Sequence, residues 1–190
     1  PPRAATGGFP YTFYSFLMNI QEIKSSIEKI VPGVLLKLVR DTLLVENPAD
    51  LSQVADFLKN SEELRFDYLS SVTGADYLQY LEAVYHLYSM EKKTGPLVLR
   101  VRVSRDQARI PSLVPIYRGA EYQEREVYDM YGIIFEGHPD LRRIFMWEGF
   151  EGFPMRKDYQ QEDSETLEMA DIEWLEKHNT KVPADMKKKA

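Results

Sequence analysis

Two stretches of alternating residues, YLEAVYHLY (80–88) and LVLRVRV (97–103), constrain the fold of this chain most strongly. Successive side chains of a β-strand point to opposite faces, so strict alternation predicts two half-buried strands. Gly95–Pro96 lies between them and signals a turn. We therefore expect the two strands to pair in an antiparallel hairpin.

One face of this strand pair is apolar and the other carries charge. The apolar face consists of Leu81, Ala83, Tyr85 and Leu87 in the first strand and Leu97, Leu99, Val101 and Val103 in the second. The first strand turns Glu82 and His86 to the other face. Arg100 or Arg102 of the second strand is expected near one of them, although alternation alone leaves the register open.

A helix and a second hairpin are expected before these strands. Isoleucines spaced three and four residues apart indicate an amphipathic helix over 19–31, which Pro32–Gly33 ends. Two apolar runs follow, 34–39 and 43–46, with Asp41–Thr42 between them. Their short spacing predicts a β-hairpin.

Two more helices are predicted between the hairpins. Asn47 is a favourable N-cap residue, and Pro48 suits the first turn of the helix that follows. Another helix is predicted over 61–72, beginning at Ser61, because acidic residues occupy its first turn.

The element order predicts an α+β fold, with helices packed on one face of a mostly antiparallel sheet and a long irregular C-terminal arm. We assign residues 19–158 to this domain, 1–18 to a flexible or partner-docking leader, and 159–190 to a charged tail. The uncharged stretch 4–21 contains glycine, proline and polar residues, so it resembles neither a membrane span nor a signal peptide.

Composition limits the chemistry that the chain can perform. Its 190 residues include no cysteine, which excludes disulfides, thiolate metal ligands and a cysteine nucleophile. His86, His138 and His178 are far apart and lack the spacing of metal ligands. We expect no catalytic residue, metal or cofactor in this chain.

The segment EYQEREVYDMYG, residues 121–132, concentrates charge on a predicted helix. Gly132 is expected to end that helix. Glu121, Arg125 and Asp129 follow at four-residue spacing and predict an acid–base–acid ladder, each exposed pair contributing about 0.3–0.5 kcal/mol.

The residues after this helix predict a basic arm. Pro139 suits the first turn of a short helix that would bury Leu141, Ile144 and Phe145 and leave Arg142 and Arg143 projecting. The glycines and Pro154 of GFEGFPMRKDY then favour an irregular loop ending in Arg156, Lys157 and Asp158. We interpret the arm either as a loop with internal salt bridges or as a preorganised surface for an acidic or polar partner.

Two other function classes stay open on these residues. A nucleic-acid-binding module would use Arg100, Arg102 and the Arg142–Arg143 pair, but the net charge of −6 opposes it. A free-standing hydrolase would need converging carboxylates. Glu124 and Glu126 point about 200° apart on a helix, which argues against such a pair.

The motif EREVYDMYGIIFEGHPDLRRIF, followed by GFEGFPMRKDY, resembles the family of the 30 kDa subunit of respiratory complex I, known in bacteria as the C-type subunit of NADH–quinone oxidoreductase. The residues that carry the resemblance are Glu124, Arg125, Glu126, Asp129, His138, Arg142 and Arg143. The resemblance extends over about residues 19–159. Tyr131 and the connecting loop FMWEGFEGFP depart from the usual family pattern.

The resemblance implies a structural subunit of an oxidoreductase, without a redox centre of its own. It implies contacts with the 49 kDa-type and PSST-type subunits near the quinone site, whereas FMN and iron–sulfur clusters would reside in partner subunits. The complex would couple NADH oxidation to quinone reduction and ion pumping. Relatives that use F420H2, ferredoxin or hydrogenase modules leave the electron donor open.

The same resemblance implies a peripheral position on the cytoplasmic side of the inner membrane, or on the matrix or stromal side in an organelle. Membrane association would come only through the complex. The predicted subunit-interface residues are Glu124, Arg125, Glu126, Asp129, His138, Arg142, Arg143, Arg156, Lys157 and Asp158.

Overall fold

The computed structural model describes residues 19–147, 149–159 and 177–178. The chain divides into two compact units, Pro1–Lys157 and Asp158–Ala190. The leader predicted over 1–18 and nearly all of the tail predicted over 159–190 lie outside the described residues.

The described part of the first unit contains a five-stranded sheet, three α-helices and a two-stranded sheet. The elements are α1 (Ile20–Ile30), β1 (Leu36–Val39), β2 (Thr42–Val45), α2 (Leu51–Asn60), β3 (Tyr68–Asp76), β4 (Tyr80–Ser89), β5 (Thr94–Ser104), β6 (Arg109–Pro111), α3 (Ala120–Tyr131) and β7 (Ile134–Glu136). The large sheet has the strand order β1-β2-β5-β4-β3, and β6 pairs with β7. Among these strands, only the β2–β5 and β6–β7 pairs are parallel. The α+β class and the mostly antiparallel sheet are therefore confirmed.

The two alternating stretches form β4 and β5, which pair in the antiparallel arrangement that their sequences predict. The register places Glu82 opposite Arg102 and Val84 opposite Arg100, and both guanidiniums bind the Glu82 carboxylate. The turn lies over residues 90–93, whereas Gly95–Pro96 belongs to β5. The predicted turn was therefore a few residues too late.

The core lies on the inner face of this sheet, where apolar residues of all three helices join those of the strands. α1 begins at Asn19, whose side chain accepts a hydrogen bond from the Gln21 amide. α2 follows a 3₁₀ turn, Pro48–Asp50, that Asn47 caps in the same way. Helices on one face of the sheet are confirmed.

The helix predicted over 61–72 is wrong. The helical start signal at Ser61 lasts for one turn, Glu62–Leu64, after which Arg65 adopts a positive φ of 50°. Tyr68–Asp76 then form β3, because Leu69 and Val72 reach the core only when the segment pairs with β4.

α3 covers the outer edge of β3. The side-chain carbonyl of Gln123 accepts a hydrogen bond from the Val72 amide at 2.6 Å. The Tyr131 ring lies so close to Gly74 that an added Cβ would stand 2.3 Å from it. α3 therefore covers β3, an edge strand whose backbone groups would otherwise lack partners.

The short helix predicted after Pro139 is also wrong, since residues 138–146 form turns and bends. Leu141 packs against the core, but Ile144 and Phe145 point away from it. Within the described ranges, no helix has the length and apolar character that crossing a membrane requires.

Candidate functional site

The candidate site is the junction between α3 and the residues that follow β7, residues 137–157, which we call the arm. α3 ends at Gly132, whose left-handed φ of 72° suits glycine. Glu124, Arg125 and Asp129 are buried on α3, although charged side chains are rarely buried without partners. Their partners therefore define the site.

Asp129 anchors the start of the arm. One carboxylate oxygen accepts hydrogen bonds from the amides of Ile144, Phe145 and Met146 at 2.9, 2.7 and 3.0 Å. The other oxygen accepts from Arg143 at 2.7 Å. Burial acts to raise the pKa of Asp129, but these donors outweigh it and leave the pKa below its ordinary value.

Arg143 joins the start of the arm to its later residues. Its guanidinium donates to the carbonyls of Phe150 and Gly152 at 3.1 and 2.9 Å while binding Asp129. It also lies over the rings of Phe150 and Phe153. The prediction that Arg143 projects outward is therefore wrong, because the carboxylate and the carbonyls draw it inward.

Arg125 binds the backbone of the same segment. Its guanidinium donates to the carbonyls of Arg142 and Arg143 at 3.1 and 3.3 Å and lies 3.9 Å from the Asp140 carboxylate. The predicted ladder of Glu121, Arg125 and Asp129 does not form, because the last two bind the arm instead of each other.

His138 joins the first turn of the arm to α3. Its Nδ1 accepts a hydrogen bond from the Asp140 amide, so Nε2 carries the proton and donates to the Glu121 carbonyl at 2.9 Å. Arg142 stays exposed and pairs with Asp140 at 2.9 Å. Of the predicted arginine pair, only Arg142 projects.

The far end of the arm returns to the C-terminus of α3. Arg156 donates to the Tyr131 carbonyl at 2.6 Å and stacks over Phe153. The Phe153 ring lies against Gly132, where an added Cβ would stand 2.4 Å from it. A carbonyl at a helix C-terminus attracts cations, so Arg156 also complements the helix dipole.

Asp76 at the end of β3 is a second anchor, and no motif or spacing in the sequence points to it. Its carboxylate accepts a hydrogen bond from the Lys157 amide at 2.8 Å and binds Arg105. Burial acts to raise the pKa of Asp76, but the amides of Lys157 and Leu78 and the Arg105 guanidinium lower it below the ordinary value. In the second unit, Asp158 is exposed.

Glu124 does not bind the arm. It accepts hydrogen bonds from the Ser112 hydroxyl and the Leu113 amide at 2.6 and 2.7 Å. Burial raises its pKa to about 7, since these two neutral donors offset the loss of hydration only in part. Glu126 is exposed on the same helix, so the two do not converge as a hydrolase pair would.

The arm turns large apolar side chains outward while its charges bind inward. Ile144, Phe145, Trp147 and Met155 are 37, 61, 68 and 55% exposed. The Trp147 and Phe150 rings meet edge to face, with centroids 4.8 Å apart. Apolar side chains held outward on a fixed backbone are typical of a protein interface.

The arginines proposed for nucleic-acid binding are mostly engaged. Glu82 binds Arg100 and Arg102, and Asp129 binds Arg143. Among the residues that the structure describes, no three histidine or acidic side chains are grouped so that they could hold a metal ion.

Sequence and structure comparisons agree on one family. A family model described as respiratory-chain NADH dehydrogenase, 30 Kd subunit, matches residues 44–165. The second C-type subunit of the NADH-quinone oxidoreductase of Rhizobium meliloti (strain 1021) is 47% identical over 118 residues, which are 59% of this chain and 62% of that protein. The C-type subunit of the Salinispora arenicola (strain CNS-205) enzyme is 40% identical over 149 residues, 73% of this chain and 60% of that protein.

A solved structure of the membrane-bound sulfane sulfur reductase, an archaeal respiratory membrane complex, contains a similar chain. The identity is 28% and the TM-score 0.57, over 90% of this chain and 98% of that one. The present chain spans about three fifths of the length of the two bacterial relatives. The family that the motif resembles is confirmed: the chain belongs to the family of the 30 kDa subunit of respiratory-chain NADH dehydrogenase.

Proposed function

We propose that this chain is a structural, non-redox subunit in the peripheral arm of an NADH–quinone oxidoreductase of the complex I type. In this role it binds the 49 kDa-type and PSST-type subunits near the quinone site. Its relatives are named as subunits of NADH–quinone oxidoreductase, which supports the assignment of the complex.

The attachment of the arm to α3 supports the proposal. The arm has an irregular backbone in its described residues, yet the Asp129 side chain and the carbonyls of Glu121 and Tyr131 hold it at points from His138 to Arg156. Fixing a backbone residue costs about 1–2 kcal/mol of conformational entropy, so an arm held at so many points is ordered before any partner binds. A preordered surface binds its partner without that cost.

The chemistry of the arm favours an apolar contact with the partner. Arg125 and Arg143 bind the arm itself, so they are not available to a neighbouring acid. Phe145 and Trp147 are the outward groups. The exposed ion pair of Arg142 with Asp140 would lie at the polar rim of such a contact.

Electron transfer in the proposed complex belongs to other subunits. The chain contains no cysteine, the residue that ligates iron–sulfur clusters in most proteins. We assign FMN and the iron–sulfur clusters to partner subunits. We place the chain on the cytoplasmic side of the inner membrane, or on the matrix or stromal side in an organelle, attached only through the complex.

The second candidate is the equivalent subunit of a related complex with another electron donor, such as F420H2, ferredoxin or a hydrogenase module. The similarity to a chain of an archaeal sulfane sulfur reductase favours keeping this candidate, since that complex is named for a different reaction.

Purification of the native assembly through a tag on the full chain separates the two candidates. Cross-linking and mass spectrometry should join the arm to 49 kDa-type and PSST-type subunits. Co-purification of an NADH-oxidising module supports the first candidate, and a module for another donor supports the second. An assembly without any oxidoreductase subunit would contradict both.

A further inference from the structure

The large sheet has a second face, opposite the core, which we call the outer face. The strand register assigns to it Lys37, Leu44, Val84, Val98, Arg100 and Arg102, together with Glu82. The buried residues of α1, α2 and α3 join the inner-face core instead. None of the described helices therefore covers this face.

The outer face is basic, although the chain as a whole has a net charge of −6. Lys37, Arg100 and Arg102 supply three cations. Glu82 is the only carboxylate that the five described strands direct to this side, and it is buried between two of these cations. A partner that approaches this face therefore meets net positive charge.

The positive groups are held in place before any partner arrives. Glu82 binds both arginines, whose side chains remain 17 and 37% exposed. Arg102 lies over the Tyr80 ring at 4.6 Å, and Tyr80 stacks on Tyr77 at 4.9 Å. Arginine and tyrosine in such fixed arrangements are the residue types that dominate binding energy at protein interfaces.

Apolar side chains lie beside this charged cluster. Val84 stands opposite Arg100 and Val98 opposite His86, whereas Leu44, which pairs with Arg100 from the neighbouring strand, is itself buried. Five strands at their usual spacing and length give a footprint of about 600 Å². This area approaches the roughly 800 Å² that each partner buries in a standard interface.

We propose that the outer face is a second subunit interface, separate from the arm, and that it binds an acidic protein surface. Carboxylates of the partner would lie opposite Arg100, Arg102 and Lys37, and its apolar side chains would cover Val84 and Val98. The inference rests on the proposed function in one respect: the partner belongs to the same assembly.

Two other occupants fit less well. A second copy of this chain, docked through the same face, would bring two identical basic faces together. A nucleic acid would set its phosphates against Val84 and Val98 as well as the cations, and the net charge of −6 on the chain opposes its approach. An acidic protein surface with apolar groups matches both the cations and the valines of the outer face.

Site-specific photo-cross-linking in the native assembly tests whether the outer face binds an acidic subunit surface. A benzoylphenylalanine residue replaces Thr73, an exposed outer-face residue of β3, in one variant and Trp147 of the arm in another. We expect the Thr73 position to label an Asp- and Glu-rich segment of a neighbouring subunit. The inference would be overturned if the Thr73 position labels residues 1–18 or 160–190 of this chain, a second copy of the chain, or nucleic acid. It would also be overturned if the Thr73 position labels nothing while the Trp147 position labels a subunit. If neither position labels a subunit, the proposed function fails as well.

Charge reversal provides a second readout. Lys37→Glu with Thr73→Glu changes two exposed positions outside the ion pairs of Glu82 with Arg100 and Arg102, so the fold should melt as in the wild type. Recovery of the chain with the assembly should fall about tenfold because like charges now face each other. Arg118→Glu, an exposed reversal off the sheet, is the matched control and should assemble normally. Equal recovery of both variants would count against an acidic partner.

Discussion

Asp129 and Glu124 are buried carboxylates on one helix, yet their pKa values shift in opposite directions. Burial acts to raise both pKa values, and the hydrogen-bond donors around each carboxylate act to lower them. Asp129 has a guanidinium and three amides as donors, which overcome the effect of burial. Glu124 has one hydroxyl and one amide, which do not. The charge at Asp129 is therefore a stabilising feature, whereas the charge at Glu124 is a destabilising one.

Glu124→Gln should reduce the pH dependence of stability. The pKa of Glu124 is about 7 in the folded chain against an ordinary value of 4.5, so the folded state binds more protons between these values. The free energy of unfolding should fall as pH rises through this window, by on the order of 3 kcal/mol. Glutamine stays neutral, so the variant should lose less stability between pH 5 and pH 8.

Urea unfolding of both proteins at pH 5 and pH 8 measures this, and the difference between them removes contributions from other titrating groups. The variant should be more stable than the wild type at pH 8. Parallel pH profiles for the two proteins would show that Glu124 titrates normally.

Asp129→Asn should release the start of the arm. The substitution leaves Arg143 without its carboxylate, and breaking a buried ion pair costs about 3–5 kcal/mol. Amide hydrogen exchange at Ile144, Phe145 and Met146 should accelerate, with little change at strand amides of the core. Glu126→Gln, an exposed change on the same helix, should leave the exchange unaltered. Unchanged protection in Asp129→Asn would disprove the anchoring role.

The sequence identified charged residues of α3 that the structure buries, but it did not predict their partners. Arg125 and Asp129 were identified from the motif, but their four-residue spacing suggested a pair within α3. Spacing along a helix describes only the helix itself. It carries no information on the backbone amides and carbonyls that a later, irregular segment brings to the same side chains.

The C-terminus of α3 is where helix and arm depend on each other. Gly132 ends the helix in a conformation that other residues resist, and Phe153 fills the space that a side chain there would need. The Phe153 ring in turn contacts Arg143 and Arg156. The helix end and the arm end therefore form one packed unit.

Gly132→Ala should destabilise the chain more than Gly137→Ala does. Both glycines have positive φ, at 72° and 80°, so both substitutions carry a conformational cost of about 1–2 kcal/mol. An added Cβ meets no atom within 4 Å at Gly137 but stands 2.4 Å from Phe153 at Gly132. Overpacking should add about 1–3 kcal/mol there. Equal unfolding free energies for the two variants would mean that Phe153 moves aside without lowering the stability of the fold.

The elements that the sequence predicted well are those whose signal is local and long. The β4–β5 pair follows from alternation, and α1 and α2 from apolar spacing and asparagine caps. β3 was missed because helix start signals precede it and its pairing with β4 is not local. β6 and β7 are too short for any periodicity to show.

For the molecule as a whole, assembly should be more sensitive to the arm than folding is. Arg143→Ala removes contacts within the arm and with Asp129, while the sheet and its core keep theirs. The isolated chain should still unfold in one cooperative transition, although at a lower temperature, whereas the yield of assembled complex on a native gel should fall severely, and Arg125→Ala should behave alike. If the isolated variant chain is unfolded while the complex still assembles at normal yield, the prediction is wrong.

In the proposed assembly, the fixed, outward apolar side chains of the arm bind a partner subunit. The direct measurement is the recovery of assembled complex, with its quinone-reductase activity, from cells that carry Phe145→Ser and Trp147→Ser together. Met90→Ser with Ile30→Ser is the matched control, since these side chains are 63 and 62% exposed elsewhere on the surface. We predict loss of most assembled complex in the arm variant and normal recovery in the control. Normal recovery in both would contradict the claim.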